Sequence, residues 1–279
     1  MSLDAQRQLH LALIVAEEKG RLPLKVAWLD QECEFASTVD YVRKVKDLPG
    51  VDFHWYQIPF QLFNATSHTD PWLNVWGEGE EWAREREPDS IHENTFGTER
   101  FTDTLDAIGA HLLDGAENGV VLTGVRIEES PARRLGLTSF ASYKWVTWGQ
   151  KNNKTHLILH PIYDWSWRDI WKAILDNGWA YNESYDHQYR YGVQPSKMRV
   201  SNYHHETAVH SLFWLQEVEP ETWVRATARV NGISTAGQMG KADFFVRELP
   251  YMFRDWTEYR DYLLEHLPGT PEDREVFAK

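Results

Sequence analysis

Hydrophobic residues fall into short runs that alternate between helical and strand spacing along the first part of the chain. Residues 5–19 are apolar almost all round in their middle part, which predicts a buried helix that ends at Gly20. Residues 24–30, with the sequence LKVAWLD, predict a short buried strand that ends in an acid. Residues 35–48 have the spacing of the helix that follows it.

The same alternation continues through the middle of the chain. Residues 52–59 predict a second strand, residues 99–113 a helix, and residues 118–125 a third strand that is buried on both faces. Residues 155–179 predict a strand, a turn and a helix. Strands that alternate with helices indicate a parallel sheet, in which ligands bind outside the carboxyl ends of the strands.

Two segments depart from this alternation. Residues 64–98 are polar, rich in Trp, Pro and Gly, and without a sustained period, so they predict a long excursion of the kind that is more often functional than structural. The pattern from 205 to 267 is mostly helical. We therefore expect one α/β domain over residues 1–200, which contains the excursion, and a helical C-terminal extension over 201–279.

Composition narrows the class of protein. A formal net charge of −13 argues against general non-specific binding to nucleic acid, whose phosphates the chain would repel. The single cysteine, Cys33, excludes an internal disulfide and any multi-cysteine zinc or iron–sulfur site. Because no stretch is long and apolar enough to span a bilayer and the N-terminus has no signal pattern, we expect a cytoplasmic protein without membrane contact.

Charged residues directly follow two of the predicted strands: Arg126, Glu128 and Glu129 follow the third, and Asp30, Glu32 and Glu34 follow the first. The stretch GVRIEESPARRLG carries three arginines and two glutamates in all. A charge run is often a solvated helix face, but the carboxyl ends of parallel strands meet at one edge of a sheet. The two polar strand ends therefore predict a ligand site at that edge, where arginine would suit an anion.

Two stretches, GVRIEESPARRLG and HPIYDWSWRDIWKAILDNGWAYNESYD, resemble the phosphoadenosine phosphosulfate (PAPS) reductase-like family. The shared motifs are a Gly-x-Arg followed by acid, Ser and Arg, and a Pro-x-x-Asp-Trp turn that leads to Asp-x-Trp. The resemblance implies an adenine nucleotide alpha-hydrolase with a Rossmann-like sheet. Within the family, the chain is similar to the phosphosulfate sulfotransferase branch that contains the immunoglobulin-binding regulator A proteins.

The resemblance implies where a nucleotide would bind. The family's first strand end binds ribose or adenine, and its Gly-x-Arg strand end contacts the phosphates or the sulfonyl donor. The residues that this assigns to catalysis are Arg126, Glu128, Glu129 and Arg133, and those that it assigns to the nucleotide are Asp30, Glu32, Gly124, Ser130, Arg134 and Lys144. No metal site is predicted.

The implied cofactor is an adenine nucleotide, either PAPS or ATP, with Mg²⁺ as an open addition. A sulfonyl or adenylyl donor would bind across the strand ends, where Arg126 and Arg133 would neutralise the charge that develops on the transferred group. Glu128 or Glu129 would orient these arginines or bind Mg²⁺, and the sequence does not separate the two roles.

Two departures from the family pattern favour alternatives. The family opens with a strand and a Ser-Gly-Gly-x-Asp-Ser phosphate loop, whereas this sequence has MSLDAQRQ there, without the glycines that let backbone amides approach a phosphate. The C-terminal cysteine motif of the reductases is also missing, which argues against thiol-dependent reduction. The alternatives are a catalytically degenerate regulatory subunit, which acts through a ParB/sulfiredoxin-like protein partner, and an interaction module without a ligand.

Other polar residues carry weaker predictions. Glu206 and His210 have the spacing of two metal ligands on a helix, although a polar helix face is the favoured interpretation. His92 and Glu93 have acid–base chemistry but sit in the excursion, where loop hydrogen bonding is favoured. Lys197 and Arg199 are expected either to contact an anion or to be ordinary surface charges.

Overall fold

The computed structural model describes residues 2–67, 69–114, 116, 119–138, 143–152, 156–206, 212–237, 249 and 251–266 of the 279-residue chain. These residues divide between two compact units. The first unit comprises residues 1–62 and 74–203, and the second comprises residues 63–73 and 204–279. Among the described helices, none is both long and apolar enough to cross a membrane.

The first half of the first unit is a helix–strand–helix–strand arrangement, as its hydrophobic pattern predicts. Its elements are α1 (Leu3–Glu18), β1 (Leu24–Leu29), α2 (Ala36–Lys46) and β2 (Val51–Tyr56). Strands β1 and β2 pair in parallel, with Leu24 opposite Val51 and Leu29 opposite Tyr56. The predicted bounds of these four elements are confirmed to within two residues at each end, except at the carboxyl end of β2, which stops three residues early. The predicted burial of α1 is wrong in its middle part, where Ile14 and Val15 are 44% and 54% exposed.

Apolar side chains of α1 and α2 cover this pair of strands. Val39 and Val42 of α2 pack against Trp28 of β1 and Trp55 of β2. Leu9 of α1 packs in a second cluster with Tyr41 and Val45 of α2. Because each helix places one apolar face on the sheet, the carboxyl ends of β1 and β2 are left for polar residues.

The rest of the first unit surrounds a second small sheet. Its elements are α3 (Phe101–Leu112), β5 (Val120–Leu122), α4 (Pro131–Thr138), β6 (Gly149–Asn152), β7 (His156–Leu159), α5 (Trp167–Asn177) and α6 (Ser184–Arg190). Strand β7 lies between β5, which runs parallel to it, and β6, which runs antiparallel. Short strands β3 (Phe60–Phe63) and β4 (Trp72–Val75) form a separate pair. The described strands make a mixed α/β structure with small parallel sheets, consistent with a Rossmann-like fold.

Two expectations about this region are wrong. The third predicted strand, now β5, is not buried on both faces, because Val120 and Leu122 are 41% and 43% exposed. The sheet around it is not wholly parallel, since β6 pairs antiparallel with β7. Strand β6 has the sequence GQKN, whose lack of an apolar alternation explains why the pattern did not predict it.

The turn before α5 forms a capping box. The Ser166 hydroxyl accepts a hydrogen bond from the Asp169 backbone, and the Asp169 carboxylate accepts one from the Ser166 backbone. The Ser166 hydroxyl also donates to the Asp169 carboxylate at 2.7 Å, and this bond, together with the one from the Ser166 amide, lowers the pKa of the Asp169 carboxyl group. The cap fixes the start of α5, and with it the backbone of the residues on either side of Ser166.

The second unit contains the described helices α7 (Leu212–Val218), α8 (Pro220–Arg229), α9 (Ile233–Ala236) and α10 (Trp256–His266). Asn64 and Thr66 both donate to the Asn231 carbonyl oxygen, at 3.2 and 2.8 Å. Gly232 follows with a φ of 89°, and a Cβ there would lie 1.9 Å from the Thr66 carbonyl oxygen. Only glycine fits this approach of the two segments.

Candidate functional site

Arg126 is the centre of a charged cluster just beyond β5. Its side chain is 6% exposed, and its Nε donates to the Asp4 carboxylate at 2.8 Å. Its Nη1 donates to Glu128 at 2.9 Å and to the Trp165 carbonyl oxygen at 3.0 Å. One guanidinium therefore joins the first turn of α1, the loop after β5 and the turn before α5.

The two glutamates predicted at this strand end both bind arginines or backbone amides. Glu128 Oε2 accepts from the Trp167 amide at 2.6 Å as well as from Arg126. Glu129 Oε1 accepts from the Arg126 amide at 2.8 Å, and its Oε2 forms an ion pair with Arg133. Both carboxylates thus hold the strand end and its arginines in position.

Arg199 completes the set from a distant part of the chain. Its Nη2 donates to the Glu129 carbonyl oxygen at 3.1 Å, and its Nη1 donates to the Met198 carbonyl oxygen at 2.8 Å. Within the described part of the chain, Arg199 forms no ion pair. We refer to Asp4, Arg126, Glu128, Glu129, Arg133 and Arg199 together as the Arg126 cluster.

Burial and crowding set the electrostatics of this cluster. Burial raises the pKa of the Asp4 carboxyl group, although the guanidinium of Arg126 opposes that shift. Burial lowers the pKa of Arg133, and the positive charge of Arg199 lowers it further. The guanidinium of Arg126 also lowers the pKa of Arg133, whereas the Asp4 carboxylate raises it.

An open cavity of about 500 Å³ adjoins the cluster. The residues that line it are Ile127, Glu128, Ser130, Pro131, Arg134, Leu135 and Thr138. Arg134 is exposed and forms no ion pair with any residue that the structure describes. A ligand in this cavity would meet the Arg134 guanidinium and the apolar side chains of Leu135 and Ile127.

Three further residues predicted to contact the nucleotide are each in contact with other residues of the chain. A Cβ on Gly124 would lie 2.6 Å from backbone atoms of Asp4 and Ala5, so Gly124 lets the loop lie against the first turn of α1. Ser130 Oγ accepts from the Arg133 amide at 3.2 Å, at the start of α4. Lys144 has a left-handed φ of 42°, its Nζ lies 5.2 Å from the Tyr143 ring, and no described contact joins it to the Arg126 cluster.

The other predicted strand end forms a separate cluster whose carboxylates are fully buried. Asp30 is 0% exposed, and its Oδ2 accepts from Trp55 Nε1 at 2.7 Å and Gln57 Nε2 at 2.9 Å and pairs with Arg84. Glu32, also 0% exposed, accepts from the backbone amides of Trp76 and Ala83. We refer to Asp30, Glu32, Trp55, Gln57, Trp76 and Arg84 as the Asp30 cluster, which fastens the segment after β4 to the ends of β1 and β2.

Several residues at the strand ends were not predicted. Asp4 and Arg84 carry no local pattern, because their partners lie 122 and 54 residues away. Thr123 and His160 directly follow β5 and β7 and are hydrogen-bonded to each other. Their signal was their position at strand ends, the same signal that pointed to Arg126.

The weaker predictions have the following outcomes. His92 Nε2 lies 2.9 Å from Ser90 Oγ in its own exposed loop. His210 and the side chain of Lys197 lie outside the described residues, so the proposed pairing of Glu206 with His210 stays a prediction. Among the described residues, no group of three or more His, Cys, Asp or Glu side chains is arranged to hold a metal ion.

Comparison with known proteins places the chain in a family. The phosphoadenosine phosphosulfate reductase domain matches residues 1–191, and a domain of unknown function matches residues 192–278. The chain is 26% identical over 286 residues to the uncharacterized protein YbdN of Escherichia coli (strain K12), across 95% of this chain and 69% of that protein. No solved structure matches the chain. Because the reductase-domain match covers more than half of the chain, the chain belongs to the phosphoadenosine phosphosulfate reductase domain family.

Proposed function

We propose that the chain binds an adenine nucleotide, PAPS or ATP, at the Arg126 cluster and transfers a sulfonyl or adenylyl group from it. Family membership supports a nucleotide-related role in sulfur metabolism. The observation that carries the proposal is the open cavity that Arg134 lines at the edge of the Arg126 cluster. The three guanidiniums of that cluster include Arg199, which forms no ion pair among the described residues. Guanidinium groups bind phosphate and sulfate through paired, charge-assisted hydrogen bonds.

The three arginines of the Arg126 cluster have different roles in this proposal. Arg126 is buried and bonded on several sides, so it positions the strand end rather than meeting the ligand directly. Arg133 is 47% exposed in its side chain and, with Arg199, would neutralise charge on the phosphates or the transferred group. Glu129 would orient Arg133, and the exposed carboxylate of Glu128 is the better placed of the two to meet Mg²⁺.

The first turn of α1 lies beside the cluster but has its own hydrogen-bond acceptors. The Ala5 amide donates to Ser2 Oγ at 3.3 Å, and the Leu3 amide donates to the Tyr185 hydroxyl at 2.8 Å. Anion binding would therefore fall on the arginine side chains. At the other strand end, the Asp30 and Glu32 carboxylates already accept several hydrogen bonds, so adenine or ribose there would contact backbone atoms.

Calorimetric titration tests the proposal. The native chain is titrated with ATP, with PAPS and with 3′-phosphoadenosine 5′-phosphate (PAP), each with and without Mg²⁺. We expect micromolar binding that Arg133→Ala weakens about tenfold or more, because a charge-assisted hydrogen bond contributes about 1.5–3 kcal/mol. Arg225→Ala is the matched control, since Arg225 is similarly exposed and also pairs with a glutamate one turn away.

Three outcomes are informative. Binding that Arg133→Ala weakens and Arg225→Ala leaves unchanged supports the proposed site. Binding that neither variant alters would place the nucleotide elsewhere on the chain. No binding of any of the three nucleotides would contradict the proposal and turn attention to the regulatory-subunit alternative.

A further inference from the structure

Thr123 and His160 lie side by side at the carboxyl ends of two adjacent parallel strands. Leu122 of β5 is opposite Leu159 of β7 in the strand register, and the Thr123 amide donates to the Leu159 carbonyl oxygen at 3.0 Å. The next residue on each strand is therefore held beside the other. Thr123 Oγ1 lies 2.5 Å from His160 Nδ1.

The surroundings of the imidazole keep it neutral. His160 is 7% exposed, and its burial lowers its pKa below the ordinary value of a histidine. The guanidinium of Arg133, from α4, lowers the pKa further. The Tyr163 amide donates to the His160 carbonyl oxygen at 3.0 Å, and the Tyr163 carbonyl oxygen accepts at 2.9 Å from the amide of Ile127, which lines the cavity. No carboxylate among the described residues hydrogen-bonds to the ring.

We propose that His160 is the proton acceptor of the proposed transfer reaction and that Thr123 positions it. In this role the tautomer of His160 carries its proton on Nδ1 and donates to Thr123 Oγ1, which would leave Nε2 as the basic nitrogen. This inference rests on the proposed function, because it concerns the same strand-end site. Neither residue belongs to the set that the sequence assigned to that site.

The step is a group transfer without a change of oxidation state. The acceptor atom, water oxygen in the simplest case, forms a bond to the sulfur or phosphorus of the transferred group. The bond from that sulfur or phosphorus to the leaving phosphate oxygen breaks, and its electron pair stays on that oxygen. The proton of the acceptor moves to His160 Nε2 and then to solvent, while Arg133 and Arg199 neutralise the leaving phosphate.

Kinetics of the whole chain test the catalytic half of the inference. Hydrolysis of PAPS and of ATP, with water as the acceptor, is measured for the native chain and for His160→Gln. We expect the variant to bind PAP within about twofold of the native affinity and to hydrolyse the donor about 100-fold more slowly, the usual loss for a missing general base. Equal hydrolysis by the two proteins, including none by either, would overturn the role of His160.

Histidine NMR tests the geometry without relying on turnover. We expect the Cε1 signal of His160 to titrate below the ordinary midpoint in the free chain. Saturation with PAP should raise that midpoint, because the phosphates favour the protonated ring. Thr123→Val should change the tautomer reported by the ring nitrogens, and Thr123→Ser should restore it. His92, which lies in an exposed loop, is the internal control, and its Cε1 signal should not shift when PAP is added.

The two arms separate failure of the inference from failure of the proposed function. If PAP binds but leaves the His160 signals unmoved, the proposed function stands and the role of His160 falls. If PAP does not bind at all, both fall together. Near-ultraviolet circular dichroism of each variant shows whether it is folded. If Thr123→Val is unfolded, the comparison of Thr123→Ser with the native chain still tests the role of the hydroxyl group.

Discussion

The Asp30 cluster and the Arg126 cluster both follow predicted parallel strands and both contain carboxylates and arginines, yet they differ in what they leave open. Asp30 is 0% exposed, and its carboxylate accepts from two side-chain N–H groups, pairs with Arg84 and caps the Glu32 amide. The Arg126 cluster instead adjoins a cavity of about 500 Å³ and includes exposed arginine side chains.

The difference shows that an acid at a strand end has two uses. Where surrounding donors satisfy every oxygen and water is excluded, the acid fastens chain segments together, because a buried charge needs complete partnership. Where an exposed cation at an open edge forms no ion pair with any described residue, as Arg134 does beside the cavity, the same arrangement can receive a ligand. Counting satisfied oxygens and exposed cations separates the two uses, whereas the sequence pattern does not.

The largest expected effect is on the Asp30 cluster. Asp30→Asn replaces the shared acceptor with an amide that faces the donors of Trp55, Gln57 and Arg84. We expect the free energy of unfolding to fall by about 3–5 kcal/mol, since a buried guanidinium loses its counter-charge. Denaturant titration measures the loss.

The matched control for that variant is Asp40→Asn, which removes an exposed carboxylate from its pair with Arg43. Surface pairs contribute about 0–1 kcal/mol, so this variant should unfold almost as the native chain does. Equal stability of Asp30→Asn and the native chain would show that the Asp30 cluster does not stabilise the fold. It would favour the original prediction that Asp30 contacts the ligand.

A smaller effect is expected where the Arg126 cluster meets α1. Gly124→Ala places a Cβ against the backbone of Asp4 and Ala5, which cannot move aside as a flexible side chain would. We expect a loss of about 1–3 kcal/mol of unfolding free energy, typical of overpacking. Thermal unfolding followed by circular dichroism measures it.

Gly136→Ala serves as the comparison for that substitution. Gly136 lies in α4 with nothing within 4 Å of the added Cβ, so alanine should stabilise the helix by about 0.5–1 kcal/mol. A Gly124→Ala protein that is as stable as the Gly136→Ala protein would mean that the loop after β5 does not lie on the first turn of α1.

The smallest effect on stability is expected for Arg133→Ala. Arg133 is half-exposed and pairs with Glu129 one turn away, so the free energy of unfolding should change by less than about 1 kcal/mol. The variant should nevertheless lose nucleotide affinity in the titration described above. A loss of stability as large as that of Asp30→Asn would show that Arg133 is a structural residue and would remove the contrast between the two clusters.

The periodic elements were predictable because each buries one face. The helices α1, α2, α3 and α5 and the strands β1, β2 and β7 follow their apolar spacing closely. Strand β6 was missed because its sequence, GQKN, has no apolar alternation. Strand β4 was missed because it lies inside the polar excursion predicted over 64–98, and β3 because it directly precedes that excursion. The helix α4 was missed because its charged sequence, PARRLGLT, has almost no buried face.

The site was predictable only where its residues follow a strand along the chain. Arg126 and its two neighbouring glutamates satisfy that condition and do lie together. Asp4 and Arg199 reach the same place from 122 residues before and 73 residues after Arg126, a proximity that only tertiary packing creates. The burial of Asp30 could not be predicted either, because the groups that donate to its carboxylate lie 25, 27 and 54 residues away along the chain.

The long-range bonds of α1 have a consequence for how the protein is made. The Leu3 amide bonds to Tyr185, Arg7 bonds to the Ile170 carbonyl oxygen, and Asp4 bonds to Arg126. These contacts span 182, 163 and 122 residues, so α1 cannot complete its packing until the chain as far as Tyr185 has been made. Contacts of such high sequence separation slow folding and lengthen the exposure of apolar surface during synthesis. We therefore expect the Arg126 cluster to form late in folding.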